Sequence, residues 1–212
     1  MASDAAHKNG KVYLFTGPMF SRKTKTLLCQ IERYELAGKK AVVLKPSCDT
    51  RDARSNLVVS HDGRATSPAI QFDGTLATLD SVVPARVHVV GIDEGQFVPD
   101  LRKICEYLSA SGVIVIVAAL SGTHDLRIWP AVADLLPICN KITHLTAVCV
   151  LCGESAAFSK RLTAETADVV LGSREKYAPT CGTCHALPAD VFKTMPAGAA
   201  TLESWLTPKP TV

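Results

Sequence analysis

The chain has 212 residues, 47% of them hydrophobic, enough for one medium core and a small appendage but not for two large domains. A net charge of +3 with 20% charged residues leaves no basic stripe for a nucleic-acid surface, and the longest wholly apolar run, Val113 to Leu120, is too short to span a bilayer. With Met1 to Asn9 polar and no apolar signal region, the expectation is a soluble cytoplasmic protein without nucleic-acid or membrane partners.

Lys11-Val12-Tyr13-Leu14-Phe15 is short, apolar and β-prone, as a buried strand would be. Thr16 to Thr24 follows, and it approximates the phosphate-binding pattern G-x-x-x-x-G-K-[ST]. Gly17, Lys23 and Thr24 fall in place, Pro18, Met19, Phe20 and Ser21 fill the loop, and Arg22 stands where the second glycine belongs. Leu27, Leu28, Ile31 and Tyr34 then recur at helical spacing until Gly38. A Gly followed by Lys-Thr arises by chance in many chains, but the order strand, loop, helix is what phosphate binding needs. Loop amides would cradle phosphate oxygens, the helix N-terminus would add positive potential, Lys23 would bring a mobile charge, and the Thr24 hydroxyl would face Mg²⁺.

Val42-Val43-Leu44 reads as the next strand, and Pro46 to Pro68 as a polar loop. Val87 to Ile92 is an apolar strand that ends in Asp93 and Glu94, where a P-loop protein places the acid that orients Mg²⁺. An exposed Asp-Glu pair at a strand end is common; beside a P-loop, Asp93 fits the metal role and Glu94 that of a proton acceptor. Leu101, Ile104, Cys105 and Leu108 share one helix face closed by Ser111-Gly112, and Val113 to Ala118 reads as a central parallel strand. The fold class is therefore α/β: a P-loop NTPase-like parallel sheet flanked by helices over residues 10–146.

Cys149-x-x-Cys152 and Cys181-x-x-Cys184, 28 residues apart, have the spacing of a Cys₄ zinc site. Disulfides are the competing reading, and nothing in the N-terminal stretch points to export. His185 could substitute as a ligand, although four cysteines complete the shell. Cys29, Cys48, Cys105 and Cys139 read as ordinary buried thiols. Residues 147–186 thus form a small zinc-stapled domain, and 187–212, with Pro188, Pro196, Pro208 and Pro210, a loosely ordered tail.

With these motifs in hand, the chain resembles the type II thymidine kinases from about Gly10 to about His185. Gly17-Pro18-Met19-Phe20-Ser21, Asp49-Thr50-Arg51, His61-Asp62 and Ile92-Asp93-Glu94-Gly95-Gln96-Phe97 carry the likeness, as do Leu145 to Cys149, Ser159-Lys160-Arg161-Leu162 and Lys176-Tyr177. The resemblance implies transfer of the γ-phosphoryl of ATP to the 5′-hydroxyl of thymidine, with Mg²⁺ accompanying ATP and a structural Zn²⁺. It implies Glu94 as general base and Thr24 with Asp93 around Mg²⁺. Gly17 to Thr24, Asp49, Arg51, Asp93 and Gln96 would surround ATP and its phosphates, with Arg161 a further candidate for a phosphate contact. The nucleoside would meet Met19, Leu120, His124, Trp129 and Ser159, and a covering lasso of Asp168, Val169, Val170, Leu171 and Gly172 beside Tyr177. A homotetramer and feedback by dTTP are also implied.

Three departures fall on the two ligand subsites. Arg22 replaces the loop glycine and is expected to crowd the phosphates; His124 stands for a base-stacking phenylalanine, with Trp129 the aromatic retained; Asp168 replaces an apolar lasso residue. They raise the alternative of a catalytically degenerate copy that partners or regulates an active kinase. A zinc-ribbon interaction module is the reading from a different class. The survival of Lys23, Thr24, Asp93 and Glu94 favours an active kinase.

Overall fold

The computed structural model describes residues 10–49, 57–59, 66–167, 170 and 172–192. Within them, β1 (Lys11–Gly17) leads to α1 (Lys23–Leu36) and β2 (Ala41–Pro46). There follow β3 (Leu57–Val59), β4 (Thr66–Pro68), β5 (Ile70–Phe72), α2 (Leu79–Val82), β6 (Val89–Ile92), α3 (Leu101–Ala110) and β7 (Ile114–Leu120). Next come α4 (Pro130–Leu135) and β8 (Lys141–His144), then β9 (Ala147–Val148), β10 (Ser155–Ala156), β11 (Phe158–Arg161), β12 (Tyr177–Thr180) and α5 (Gly182–His185).

Six strands form one sheet in the order β5-β2-β6-β7-β1-β8, every pair parallel. Because both faces are covered, the centre of β1, Val12 to Phe15, reads as a continuous apolar run rather than alternating with charged residues. Val12 and Leu14 enter the core shared with Leu101, Ile104 and Leu135 of α3 and α4, while Tyr13 and Phe15 pack toward Leu27, Leu28 and Ile31 of α1. Gly91 of β6 lets α1 lie close: a Cβ there would stand 3.2 Å from both Ile31 Cδ1 and Leu27 Cδ2. Parallel strands bring all their C-terminal ends to one edge, so the loop after β1 and the acids after β6 face the same crevice, with β7 between them.

The strand expected from Val87 begins at Val89, and the one expected to end at Ala118 runs on to Leu120. The stretch expected to be loop from Pro46 to Pro68 holds the antiparallel hairpin β3–β4, whose three-residue strands are too short to show a period. β8 also lacked a signal, since this edge strand is mostly exposed and built of Lys, Ile, Thr and His. Cys29 and Cys48, expected to be buried, are exposed: Cys29 lies off the Leu27, Leu28, Ile31 stripe and Cys48 lies in the turn after β2. Among the described residues no helix is long and apolar enough to cross a membrane.

Beyond β8 the chain forms the two-stranded pairs β9–β10 and β11–β12 and the short helix α5. Ala147, Cys149, Ala156 and Cys184 make a small core there, and Phe20 of the loop after β1 packs against it.

Candidate active site

The loop from Gly17 to Arg22 is a backbone device. Gly17 has φ 154°, and a Cβ there would lie 2.2 Å from the Leu145 carbonyl oxygen, so no other residue fits without moving the chain. Phe20 and Arg22 adopt φ 66° and 64°, the second giving α1 a left-handed N-cap. The Pro18 carbonyl accepts from Lys23 Nζ at 2.7 Å and from Ser21 Oγ at 2.8 Å. Lys23 is thereby held, 8% exposed, inside the loop it would serve. The first turn of α1 carries no acidic residue and its N-cap side chain makes no capping bond, so no side chain of that turn itself offsets the amide dipoles that face the loop.

Asp93 and Glu94 are both buried where β6 ends, and Glu94 has φ 50°. Thr24 Oγ1 donates to both Asp93 carboxylate oxygens at 3.1 Å. A hydroxyl beside a carboxylate is a hard oxygen donor set of the kind Mg²⁺ takes, so these residues fit that ion. Gln96 brackets Glu94: its Nε2 donates to Glu94 Oε2 at 2.5 Å while its Oε1 accepts from the Leu120 amide at 2.9 Å. Its amide thus serves the protein scaffold. Asp49 is buried after β2, its amide donating to the Pro46 carbonyl at 3.0 Å.

The four cysteines converge. Their sulfurs all lie within 4.8 Å of one another, with Cys152 and Cys181 at 3.6 Å. Tetrahedral Zn–S arms of about 2.3 Å require similar separations, so the set fits a structural metal such as zinc. Burial opposes the Cys149 thiolate, yet amides of Cys181, Cys152 and Leu151 directed at it prevail and bring this thiol down to about 6. Burial, then hydrogen bonds with Cys181, Cys152 and Cys149, push Cys184 up to about 12. His185 stays outside the set, its Nδ1 3.0 Å from Thr180 Oγ1 and its Nε2 3.2 Å from the His124 carbonyl.

On the expected nucleoside side, the Met19 amide donates to Ser159 Oγ at 2.8 Å, tying the P-loop to β11. Leu120 ends β7, and Trp129 meets Phe97 edge-on at 5.5 Å with its indole Nε1 buried and without a hydrogen-bond partner among the described residues. A cleft of about 270 Å³ opens beside the P-loop, lined by Ser121, Thr123, His144, Phe158 and Ser159 among others. Arg161, expected as a phosphate contact, instead directs its guanidinium to the carbonyls of Glu165 and Ala167 and to the Tyr177 hydroxyl, because β11 turns it under the segment that follows. Tyr177 in turn donates to the Val170 carbonyl at 2.9 Å, and Gly172 lies against Lys176. Arg51, Asp168, Val169 and Leu171 lie outside the described residues.

A profile of the family described as thymidine kinase matches residues 10–185. The chain belongs to the thymidine kinase family. It is 38% identical over 176 residues to a thymidine kinase of Raccoon poxvirus, covering 83% of this chain and 97% of that one. To the cytosolic thymidine kinase of Bos taurus it is 38% identical over 196 residues, 92% of this chain and 77% of the relative. A Myxoma virus (strain Lausanne) thymidine kinase is 37% identical over 178 residues, covering 83% and 96%.

Arg22, at the second glycine position of the phosphate-loop pattern, sits in the left-handed conformation that suits glycine, with its side chain exposed rather than turned into the loop. His124 is a quarter exposed, and its carbonyl faces His185 of the cysteine module. The sequence pattern had no means of revealing two links: Phe20 packed on the cysteine module, and Gln96 bracketing Glu94. The first joins segments far apart in the chain, and the second depends on the Leu120 amide, 24 residues away, that fixes the other end of Gln96.

Proposed function

We propose that this thymidine kinase family member phosphorylates thymidine, transferring the γ-phosphoryl of ATP to the 5′-hydroxyl to give dTMP. The observation that carries the reading is the convergence of the Gly17–Thr24 loop, the Thr24–Asp93 contact and the buried Glu94 at one sheet edge, in a chain whose relatives are named thymidine kinases.

The loop amides and the α1 N-terminus bind the phosphates, and Lys23 exchanges the Pro18 carbonyl for phosphate oxygens. Thr24 and Asp93 hold Mg²⁺, which neutralises phosphate charge when bound. Glu94, oriented by Gln96, accepts the 5′-hydroxyl proton as the new O–P bond forms and the bond from the γ-phosphorus to the bridging oxygen breaks, releasing ADP. The cysteine cluster holds a structural Zn²⁺ and orders residues 147–186 next to the P-loop, with residues 10–146 the nucleotide-binding unit. The reading extends to a cytoplasmic homotetramer with dTTP as a feedback ligand.

Purified protein with Mg-ATP and either thymidine or deoxyuridine, beside Glu94→Gln, tests it. Turnover by the parent and a loss on the order of 10² in kcat for the variant are expected, since an amide cannot accept the proton. No thymidine turnover by the parent, or full turnover by the variant, sinks the reading or its base assignment respectively.

A further inference from the structure

Lys45, in β2, is 2% exposed, and the chemistry derived above does not use it. An ammonium offers three donors; among the described residues the acceptor it finds is the Leu57 carbonyl of β3, 2.9 Å from Nζ, and it forms no ion pair there. A cation taken out of water in this way is costly unless opposite charge stands close by.

The register of the sheet shows where that charge is. In the parallel pair β2–β6, Val43 lies opposite Gly91 and Leu44 opposite Ile92, and the Asp93 amide continues the ladder by donating to the Leu44 carbonyl at 3.0 Å. Lys45 is thus the cross-strand neighbour of Asp93, at the strand spacing of about 4.8 Å. The two also share a face. Val43 and Val58 belong to the core beneath α1 with Leu27 and Ile31, and Lys45, two residues after Val43, reaches the carbonyl that precedes Val58. A Cβ on Gly91 would meet Leu27 and Ile31 of the same helix, and Asp93, two residues further on, receives the Thr24 hydroxyl of α1. Glu94 follows, buried as well. The carboxylates that end β6 therefore have a fixed cation beside them in the sheet itself.

We propose that Lys45 is a positioning residue, the resident counter-charge of the Asp93–Glu94 pair: it steadies the two carboxylates while no metal is bound and repels a free divalent ion, so that the ion enters with ATP. This rests on the metal role given to Thr24 and Asp93 in the kinase reading. Charges withdrawn from water are weakly screened, so the ammonium acts on a metal at Asp93 without touching it. The triphosphate brings more negative charge than one ammonium opposes, and the ion it carries is admitted. Loss of Lys45 consequently has a sign that damage to the fold does not have, because the metal then binds more tightly.

Lys45→Met, Lys45→Gln and Lys45→Arg test this on the full, zinc-loaded chain. The first fills the space without charge, the second keeps a donor for the Leu57 carbonyl, and the third keeps the charge. Mn²⁺ alone is titrated by its EPR signal, and the site counted is the binding that Asp93→Asn abolishes. Lys45→Met and Lys45→Gln bind Mn²⁺ on the order of ten-fold more tightly than the parent, and Lys45→Arg stays within about three-fold of it. The Mg²⁺ midpoint for thymidine phosphorylation at fixed ATP falls in the two neutral variants alongside. If Lys45→Met fails to fold, Lys45→Gln carries the test. Unchanged or weaker Mn²⁺ binding in a folded neutral variant overturns the proposal, as does equal tightening in Lys45→Arg or a parent without Asp93-dependent Mn²⁺ binding. A higher ATP KM with Mn²⁺ affinity unmoved also overturns it and assigns Lys45 to phosphate. A parent inert toward thymidine whose neutral variants still bind Mn²⁺ more tightly sinks the kinase reading and leaves the assignment of Lys45 standing.

Discussion

Thr24 Oγ1 donates to both carboxylate oxygens of Asp93 at 3.1 Å, joining the first turn of α1 to the end of β6 across the intervening β7. The hydroxyl and the carboxylate are thus already adjacent for a shared cation. Asp93→Asn removes the charge and keeps the shape. We predict that it raises the Mg²⁺ concentration needed for half-maximal activity on the order of ten-fold, with little change in fold stability. An Mg²⁺ titration of activity checks this, and an unshifted midpoint removes Asp93 from the metal role.

Gln96 holds Glu94 on one side and the Leu120 amide on the other. Gln96→Leu leaves both without this partner, so a lower kcat is expected together with a stability loss of about 1–3 kcal/mol. Chemical denaturation and steady-state kinetics read the two effects. A variant as stable and active as the parent would show that the bracket is incidental.

Arg22 pairs a φ of 64° with an exposed side chain. The crowding expected from its bulk therefore has no counterpart in the loop. Glycine at 22 relieves the left-handed strain but loosens the unfolded chain, and the two effects oppose each other at about 1 kcal/mol each. We predict that Arg22→Gly keeps ATP affinity within about three-fold and stability within about 1 kcal/mol. Calorimetric ATP titration decides; tighter binding by a factor of ten would restore the view of Arg22 as a handicap.

Phe20 of the Gly17–Thr24 loop packs against the small core of Ala147, Cys149, Ala156 and Cys184, and the Met19 amide donates to Ser159 Oγ. The loop after β1 and the cysteine module are thereby linked through packing. Cys149→Ser is expected to lose zinc, loosen residues 147–185 and weaken ATP binding several-fold, although no cysteine touches ATP. Elemental analysis beside ATP titration separates the cases. Loss of zinc with ATP affinity intact would break the link.

The Asp125 carboxyl is held down to about 2 from 3.8, by the Thr123 hydroxyl foremost and then by Arg127. Since the folded carboxylate resists protonation more than the unfolded one, its stabilisation is complete above 3.8 and disappears as pH falls through about 2. The contacts are exposed, so the effect is local. Asp125→Asn should quicken exchange of the Leu126 and Arg127 amides, which donate to Thr123 O at 3.2 Å and Thr123 Oγ1 at 3.0 Å. The difference from the parent should be clear at about pH 5 and close toward about pH 2. A difference that persists at the acid end refutes the assignment.

Residues whose chemistry is local were legible before any folding. The order strand, Gly17 loop, helix, the acids at the end of an apolar strand and each Cys-x-x-Cys turn lie in single continuous stretches of chain, where backbone geometry and side-chain type suffice. What needed the tertiary structure were contacts between distant segments and the directions that side chains take. Gln96 on the Leu120 amide, Phe20 on the cysteine core and the guanidinium of Arg161 under its own loop depend on where strands end and which way side chains turn. Sequence pattern also left the direction of Arg161 open, because a cation near a kinase motif suggests phosphate whether it faces solvent, ligand or main chain. It missed β8 because a mostly exposed edge strand need not be apolar. Only the fold decides those directions, since burial is a property of the packed layers and not of any stretch within them.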